Sequence, residues 1–384
     1  MAEFGFSEAQ DMFRTMARDF SRRELIPGAK ERMGLNRYHE DTLKKLADAG
    51  FLGLRIPEKY AGQMSDLVTC GIACEETARL DLPASLAISN QLVAGEILAR
   101  CPEEVQEEWM PLFAKGRKII CFCVTEPDAG SDAAALKAQA IRDGDHYVLN
   151  GEKTSVTTGM QADAAAVWVR MDPTSGIRGI TAFFVPLDLP GIERLPFADM
   201  GFRAAERASI TFDSVCIPAK YLIGEEGRGF YVGMAMFDWV RVILSLQVLA
   251  LGEQSVYDAI DYAKKRRAFG KPIAKYDAVS FRLVDSLAKI EAAKLLCYKS
   301  LWLQDQGRRA TKEAAMAKSI CPTIGIEACN NAMLTLGHVG YSSDYPVEQR
   351  LRDALGYQFA DGTADMQRIV LVREFIGKEY LNYT

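Results

Sequence analysis

The chain has 384 residues, 49% of them hydrophobic and 25% charged, with a net charge of −5. That length supports two or three packed units, the composition excludes disordered and fibrous classes, and the lack of a long basic block argues against nucleic acid as a partner. Nine cysteines, an odd number with no CxxC pair and several in apolar runs, point to free thiols in a reducing compartment rather than to disulfides or zinc.

The N-terminus, Met1-Ala2-Glu3-Phe4-Gly5, lacks a basic stretch followed by an apolar one, and nowhere do 18 apolar residues run unbroken. A cytoplasmic protein without membrane insertion is expected. Residues 7–115 predict four or five helices. Ser7-Glu8-Ala9-Gln10 is a capping-box pattern, and Met12, Met16 and Phe20 continue at helical spacing until Pro27. Leu43, Leu46 and Ala47 give a second amphipathic helix closed by Gly50. After a loop with Pro57 and Gly62 come helices over 67–80 and 83–99, and one more that runs to Gly116.

Residues 117–217 switch to strand signals. An apolar strand over 119–124 breaks at Pro127 into a loop holding Gly130, Ser131 and the carboxylates of Glu126, Asp128 and Asp132. Small residues let such a loop approach a ligand closely, and Thr125 and Ser131 offer hydroxyls at the strand end; an ordinary strand exit accounts for the pattern equally well. Arg142-Asp143-Gly144-Asp145 and Asn150-Gly151 read as turns between the β-rich runs 146–149, 165–169 and 180–185. A repeat of about ten residues predicts an antiparallel barrel or sandwich rather than a parallel βαβ sheet. Neither GxGxxG nor a P-loop stands at a strand-to-helix junction.

From Gly229 onward the pattern is helical and long. Leu283, Leu287, Ile290, Cys297 and Leu301 recur at steps of three and four, interrupted by Lys294, as on one face of a bundle helix. Similar stripes cover 229–267, 310–336 and 363–381. The plan is an α+β multidomain chain: an all-α domain over 1–117, a β domain over 118–227 and a four-helix bundle over 228–384.

Histidine chemistry is thinly supplied by His39, His146 and His338, no HExxH or Cys/His spacing argues for a metal, and no GxSxG elbow argues for a serine nucleophile. Lys264-Lys265-Arg266-Arg267 is either a site for one anion or a solvated helix face. Ala360-Asp361-Gly362-Thr363 interrupts two helical patterns. Read locally, Asp361 is either a helix N-cap, the simpler account, or a carboxylate placed for chemistry.

Several motifs in order carry a resemblance: Thr125-Glu126-Pro127-x-Ala129-Gly130-Ser131-Asp132, Asn150-Gly151-x-Lys153, Arg266-x-x-Phe269-Gly270-Lys271, and the run 344–368 with Asp-Tyr-Pro-Val-Glu, Arg-Asp-Ala, Asp-Gly-Thr and Gln-Arg. Together they make the chain resemble the acyl-CoA dehydrogenases from end to end. The resemblance implies a helical, a β and a helical domain, bound FAD, an acyl-CoA substrate, electron-transfer flavoprotein as acceptor, and a homotetramer built from dimers. It implies that Phe122, Val124, Thr125 and Ser131 contact the flavin and pyrophosphate, Ser131 the CoA as well, and that Ser155 and Thr157 close over the isoalloxazine. Arg266 and Phe269, then Leu334, Gly337 and His338 of a neighbouring subunit, then Thr363 and Asp365, would hold the adenosine half. Phe237, Asp238, Arg241 and Gly362 would line the substrate. Asp361 stands where the family places a glutamate base. There it would remove the α-proton of a saturated thioester, its N–H helping to hold the thioester oxygen while hydride leaves the β-carbon for flavin N5.

The departures carry information. Asp361 is one methylene shorter than glutamate and Ala360 replaces a common aromatic, which makes room at the α-carbon for a branched or cyclic acyl group such as cyclohexane-1-carboxyl-CoA. Ser155 replaces a flavin-covering tryptophan, Asp277 and Leu334 replace glutamines near FAD, and His338 replaces a glycine. Trp239 is a pocket wall or a packing residue. Two other functions remain open: a nitroalkane-oxidase-like flavin oxidase using the same aspartate, and a non-catalytic CoA-binding scaffold.

Overall fold

The computed structural model describes residues 5–382. Six helices come first: α1 (Glu8–Phe20), α2 (Ala29–Met33), α3 (Glu40–Asp48), α4 (Leu67–Ala78), α5 (Leu82–Leu98) and α6 (Glu103–Ala114). The capping box at Ser7 forms, its hydroxyl accepting from the Gln10 N–H and the Gln10 side chain accepting from the Ser7 N–H. Helical spacing placed α1 correctly and put Phe20 inward, but Met12 and Met16 are exposed, and Phe13 and Ala17 join Phe20 on the inner face, the two rings against Phe51. Helices α4 and α5 are buried on nearly every side, which is why their sequences show little amphipathic contrast.

A curled sheet follows, made of β1 (Ile120–Cys123), β2 (Gln139–Asp143), β3 (His146–Val156), β4 (Ala164–Arg170), β5 (Ile180–Pro186), β6 (Ile192–Pro196) and β7 (Ala208–Pro218). The strand order is β1-β4-β2-β3-β7-β6, with β5 also paired to β4. Pairing is antiparallel except that β1 runs parallel to β4 and one residue pair joins β2 to β4 in parallel; the long excursion through β2 and β3 gives β4 room for a parallel return. Asn150-Gly151 is not a turn. It lies inside β3 at a register shift between Leu149 and Gly151, where Gly151 has φ +137° and a Cβ would come within 2.6 Å of the Ala138 Cβ. The turn-forming pair thus serves a bulge, for the same reason glycine serves turns.

The last third holds α7 (Gly229–Lys265), the small hairpin β8 (Arg267–Ala268) and β9 (Lys271–Pro272), α8 (Asp277–Asp305), α9 (Thr311–Leu336), α10 (Pro346–Gly356) and α11 (Ala364–Phe375). Helix α7 is long and apolar enough to pass for a membrane span, and that apolarity is used in packing against α9, α8, α4 and α10. Where α7 passes α9, a Cβ on Gly325 would lie 2.5 Å from the Val248 carbonyl oxygen. Lys294, the residue that broke the apolar stripe of α8, is buried between Glu75 of α4, at 2.9 Å, and Glu253 of α7. Among the cysteines only Cys216 is exposed, and all are free thiols.

Candidate active site

Helix α10 ends at Gly356 and α11 begins at Ala364, and between them the chain reverses through Asp361 at φ +52° and Gly362 at φ +98°. At φ +98° the second position of this break favours glycine, since residues with a side chain rarely adopt that conformation. The N-cap of α11 is Thr363, whose hydroxyl accepts from the Met366 N–H at 3.2 Å. Asp361 therefore does not cap the helix, which removes the simpler of its two local roles. Its N–H donates to no protein acceptor among the described residues. Burial raises the Asp361 carboxyl above the ordinary aspartate value, opposed by the cations of Lys318 and Arg241.

Those cations come from two different helices. Arg241 of α7 donates from Nε to the Asp361 carbonyl at 3.0 Å, and its guanidinium lies 5.1 Å from the centre of the Phe237 ring. Asp238, 3.9 Å from Arg241, also accepts from the Thr311 hydroxyl at 2.7 Å. Lys318 of α9 is wholly buried and donates to the Tyr357 carbonyl just past the end of α10. The sequence carries one signal for Lys318: it falls between Ala314 and Cys321 at four- and three-residue steps, on the buried stripe of α9.

The wall behind the break is built by the Arg352-Asp353-Ala354 motif. Asp353, buried in α10, accepts from the Phe202 N–H at 2.8 Å and so fixes the loop that sets Phe202 edge-on to Tyr357, ring centres 5.0 Å apart. Burial pushes the Asp353 carboxyl up to about 6. The Tyr357 hydroxyl donates to Gln247 at 3.0 Å, and Gln247 donates to Ser85 at 2.9 Å, tying α7 and α5 to the base of the break. Trp239 is buried in the helical core and takes the packing role.

A second group of candidates gathers at the exit of β1. The Thr154 N–H donates to the Thr125 carbonyl at 2.9 Å and sets the 154–157 segment across from the strand end. Glu126 and Lys153, one from each of two motifs, form a buried pair at 2.7 Å; Glu126 also accepts from the N–H groups of Lys137 and Ala138, and Lys153 donates to the Val124 carbonyl. These two motif residues thus lock the loop rather than face a ligand. Thr125 and Thr157 are half-buried, Phe122 and Val124 pack on the helical core, and Ser131 is exposed. Ser155 is exposed in a left-handed conformation, φ +57°, and its hydroxyl accepts from Arg207 at 3.3 Å, itself clamped by Asp199. Val124 and Phe237 share a small apolar cleft with Leu136, Trp168 and Phe230, so the two groups of candidates border one space.

This exit suits a flavin nucleotide. Thr125, Ser155 and Thr157 carry hydroxyls that could hold a flavin ring, and the loop backbone at Gly130 is open, since a Cβ there would meet only the Thr125 methyl at 4.0 Å. Arg266, Phe269, Leu334, Gly337 and His338 are exposed on the β8–β9 hairpin and the end of α9, and no hydrogen bond or ion pair among the described residues joins them to this exit or to Asp361. Asp365 is exposed and paired with Arg368.

Family models of the N-terminal, middle and C-terminal domains of acyl-CoA dehydrogenase match residues 7–117, 121–215 and 227–376. An acyl-CoA dehydrogenase of Bacillus subtilis is 34% identical over 97% of this chain and 99% of its own. A caffeyl-CoA reductase–Etf complex subunit of Acetobacterium woodii is 36% identical over 95% of this chain and 98% of its own. Butyryl-CoA dehydrogenase of Megasphaera elsdenii superposes with a TM-score of 0.91 at 32% identity, covering 96% of this chain and 98% of its own. The chain belongs to the acyl-CoA dehydrogenase family, FAD-dependent oxidoreductases acting on CH–CH bonds.

Proposed function

We propose that this protein oxidises a saturated acyl-CoA to the α,β-unsaturated thioester, with Asp361 as the base. The observation that carries this is the break between α10 and α11, where Asp361 is freed from capping by Thr363, has an unspent N–H and holds a carboxyl whose pKa burial has raised. A free aspartate, with a pKa of about 3.9, is a weak base, and desolvation brings it closer to proton abstraction near neutrality. In this assignment the Asp361 carboxylate takes the α-proton while its N–H helps hold the thioester oxygen. Arg241, gripping the Asp361 carbonyl, keeps both groups in register. Phe122, Val124, Thr125, Ser131, Ser155 and Thr157 would hold the flavin, which when bound supplies the hydride acceptor.

The short base beside Ala360 leaves room for a branched or cyclic acyl group, for which cyclohexane-1-carboxyl-CoA is the model substrate; Phe237, Asp238, Arg241 and Gly362 would border it. We assign electron-transfer flavoprotein as acceptor, supported by the Acetobacterium woodii relative named as part of an Etf complex. A homotetramer accounts for the exposure of Phe269 and Leu334, with Arg266, Gly337 and His338, plus Thr363 and Asp365, completing the adenosine site across subunits. A cytoplasmic location completes the assignment. The test is anaerobic titration of the FAD-loaded protein with straight, branched and cyclic acyl-CoAs and with a nitroalkane. Bleaching strongest with a cyclic acyl-CoA is expected. Full flavin absorbance with every acyl-CoA would overturn the dehydrogenase assignment, and bleaching by the nitroalkane alone would replace it with a nitroalkane oxidase.

A further inference from the structure

We propose that Lys318 is a positioning residue that holds the Asp361 break in place and sets a second cation behind its carboxylate; this rests on Asp361 being the base. Two facts carry it. Lys318 is wholly buried, and its Nζ is spent on the Tyr357 carbonyl, four residues before Asp361. A buried ammonium is costly unless a nearby negative charge offsets it, and Lys318 has no ion pair within 4 Å among the described residues. The titratable groups that face it are Asp361 at the break, Arg241 on α7, and Cys321 one turn further along α9, while the end of α10 offers the Tyr357 carbonyl. Asp361 is the one carboxylate in that set.

The charge arrangement follows from this. Arg241 already grips the Asp361 backbone from one side, and Lys318 places a second cation behind it. Burial pulls the Lys318 ammonium down to about 8, with Asp361 opposing that pull, and Lys318 in turn opposes the burial that raises the Asp361 carboxyl. Without the Lys318 charge, the Asp361 carboxyl would retain its proton to higher pH.

Lys318→Gln keeps a donor for the Tyr357 carbonyl and removes the charge, whereas Lys318→Arg keeps the charge. The acid limb of flavin reduction by acyl-CoA is expected to move up by about one pH unit in K318Q and to stay at the wild-type position in K318R. The Asp361 carboxyl band in infrared difference spectra, assigned by its loss in D361N, is expected to titrate with the same upward shift without any turnover. An unchanged limb and an unchanged band in FAD-loaded K318Q would overturn the proposal. Loss of FAD by both variants would overturn it too, since Lys318 would then be a packing residue. If D361N reduces its flavin like the wild type, the base assignment fails, a result separate from either Lys318 outcome.

Discussion

The Asp361 carboxylate caps no helix, and this makes its replacement informative. Thr363 caps α11, and the Asp361 carbonyl, not its carboxylate, meets Arg241. Asp361→Asn should fold, load FAD and lose roughly 10²–10⁴-fold in the rate of flavin reduction, the usual size of a general-base deletion. Because burial raises the folded pKa, wild-type stability falls as pH rises through that value, and D361N escapes the loss. The melting temperature of D361N relative to wild type should therefore rise between pH 4.5 and 7.5; a constant difference would mean that the carboxyl titrates normally. The sequence located the break but could not choose between cap and base, since Asp-Gly-Thr offers two capping residues and only backbone geometry tells which of them caps. Lys318 escaped notice because a lysine inside an alanine-rich stripe reads as an exception until the opposing helix ends are known.

At the scale of single elements, much of the family signature turns out to be scaffolding. Glu126 and Lys153 tie the exit of β1 to β3, and Asp353 ties α10 to the 201–202 loop. Sequence order could not reveal these pairs, because each joins segments far apart in the chain. Local propensity placed most helices and strands. It failed where context reassigns a motif, at the Asn150-Gly151 bulge and at the outward methionines of α1. Asp353 gives a sharp test. Its folded pKa of about 6 lies above that of a free aspartate, about 3.9, so the stability it lends is full below pH 4 and is lost as pH rises through 6. Asp353→Asn still accepts from the Phe202 N–H and carries no charge. Its advantage in stability over wild type should widen by about 2 kcal/mol between pH 4.5 and 7.5, read as a growing gap in melting temperature; a constant gap would show that the carboxyl titrates normally.

Over the whole molecule, the N-terminal helices are joined to the bundle by charge as well as by apolar packing. Lys294 and Arg79 lie between Glu75 and Glu253, and Arg14 adds a third contact to Glu75 from α1 at 3.2 Å. Lys294→Met should destabilise the protein by up to the roughly 3–5 kcal/mol seen when one partner leaves a buried pair, reduced here because Arg79 still reaches both carboxylates; an unchanged denaturation midpoint would count against the cluster as a domain tie. The opposite situation holds on the outer surface, where large apolar side chains stand exposed among the described residues. Phe269 is 96% exposed, Tyr341 82% and Phe281 60%, along the β8–β9 hairpin and the outer faces of the bundle. Exposed aromatics of this number mark surfaces suited to another molecule, and a second copy would supply matching faces by symmetry. If that copy also completes the adenosine end of the FAD site, assembly and cofactor binding are linked, and each must stabilise the other. Arg266, exposed beside Phe269, is the residue at which the two effects meet. Arg266→Ala should lose FAD on gel filtration and elute later, with both defects relieved by raising protein concentration or adding FAD. Normal elution with full flavin content would place Arg266 in neither the interface nor the cofactor site, and loss of FAD alone from an intact oligomer would place Arg266 in the cofactor site but not in assembly.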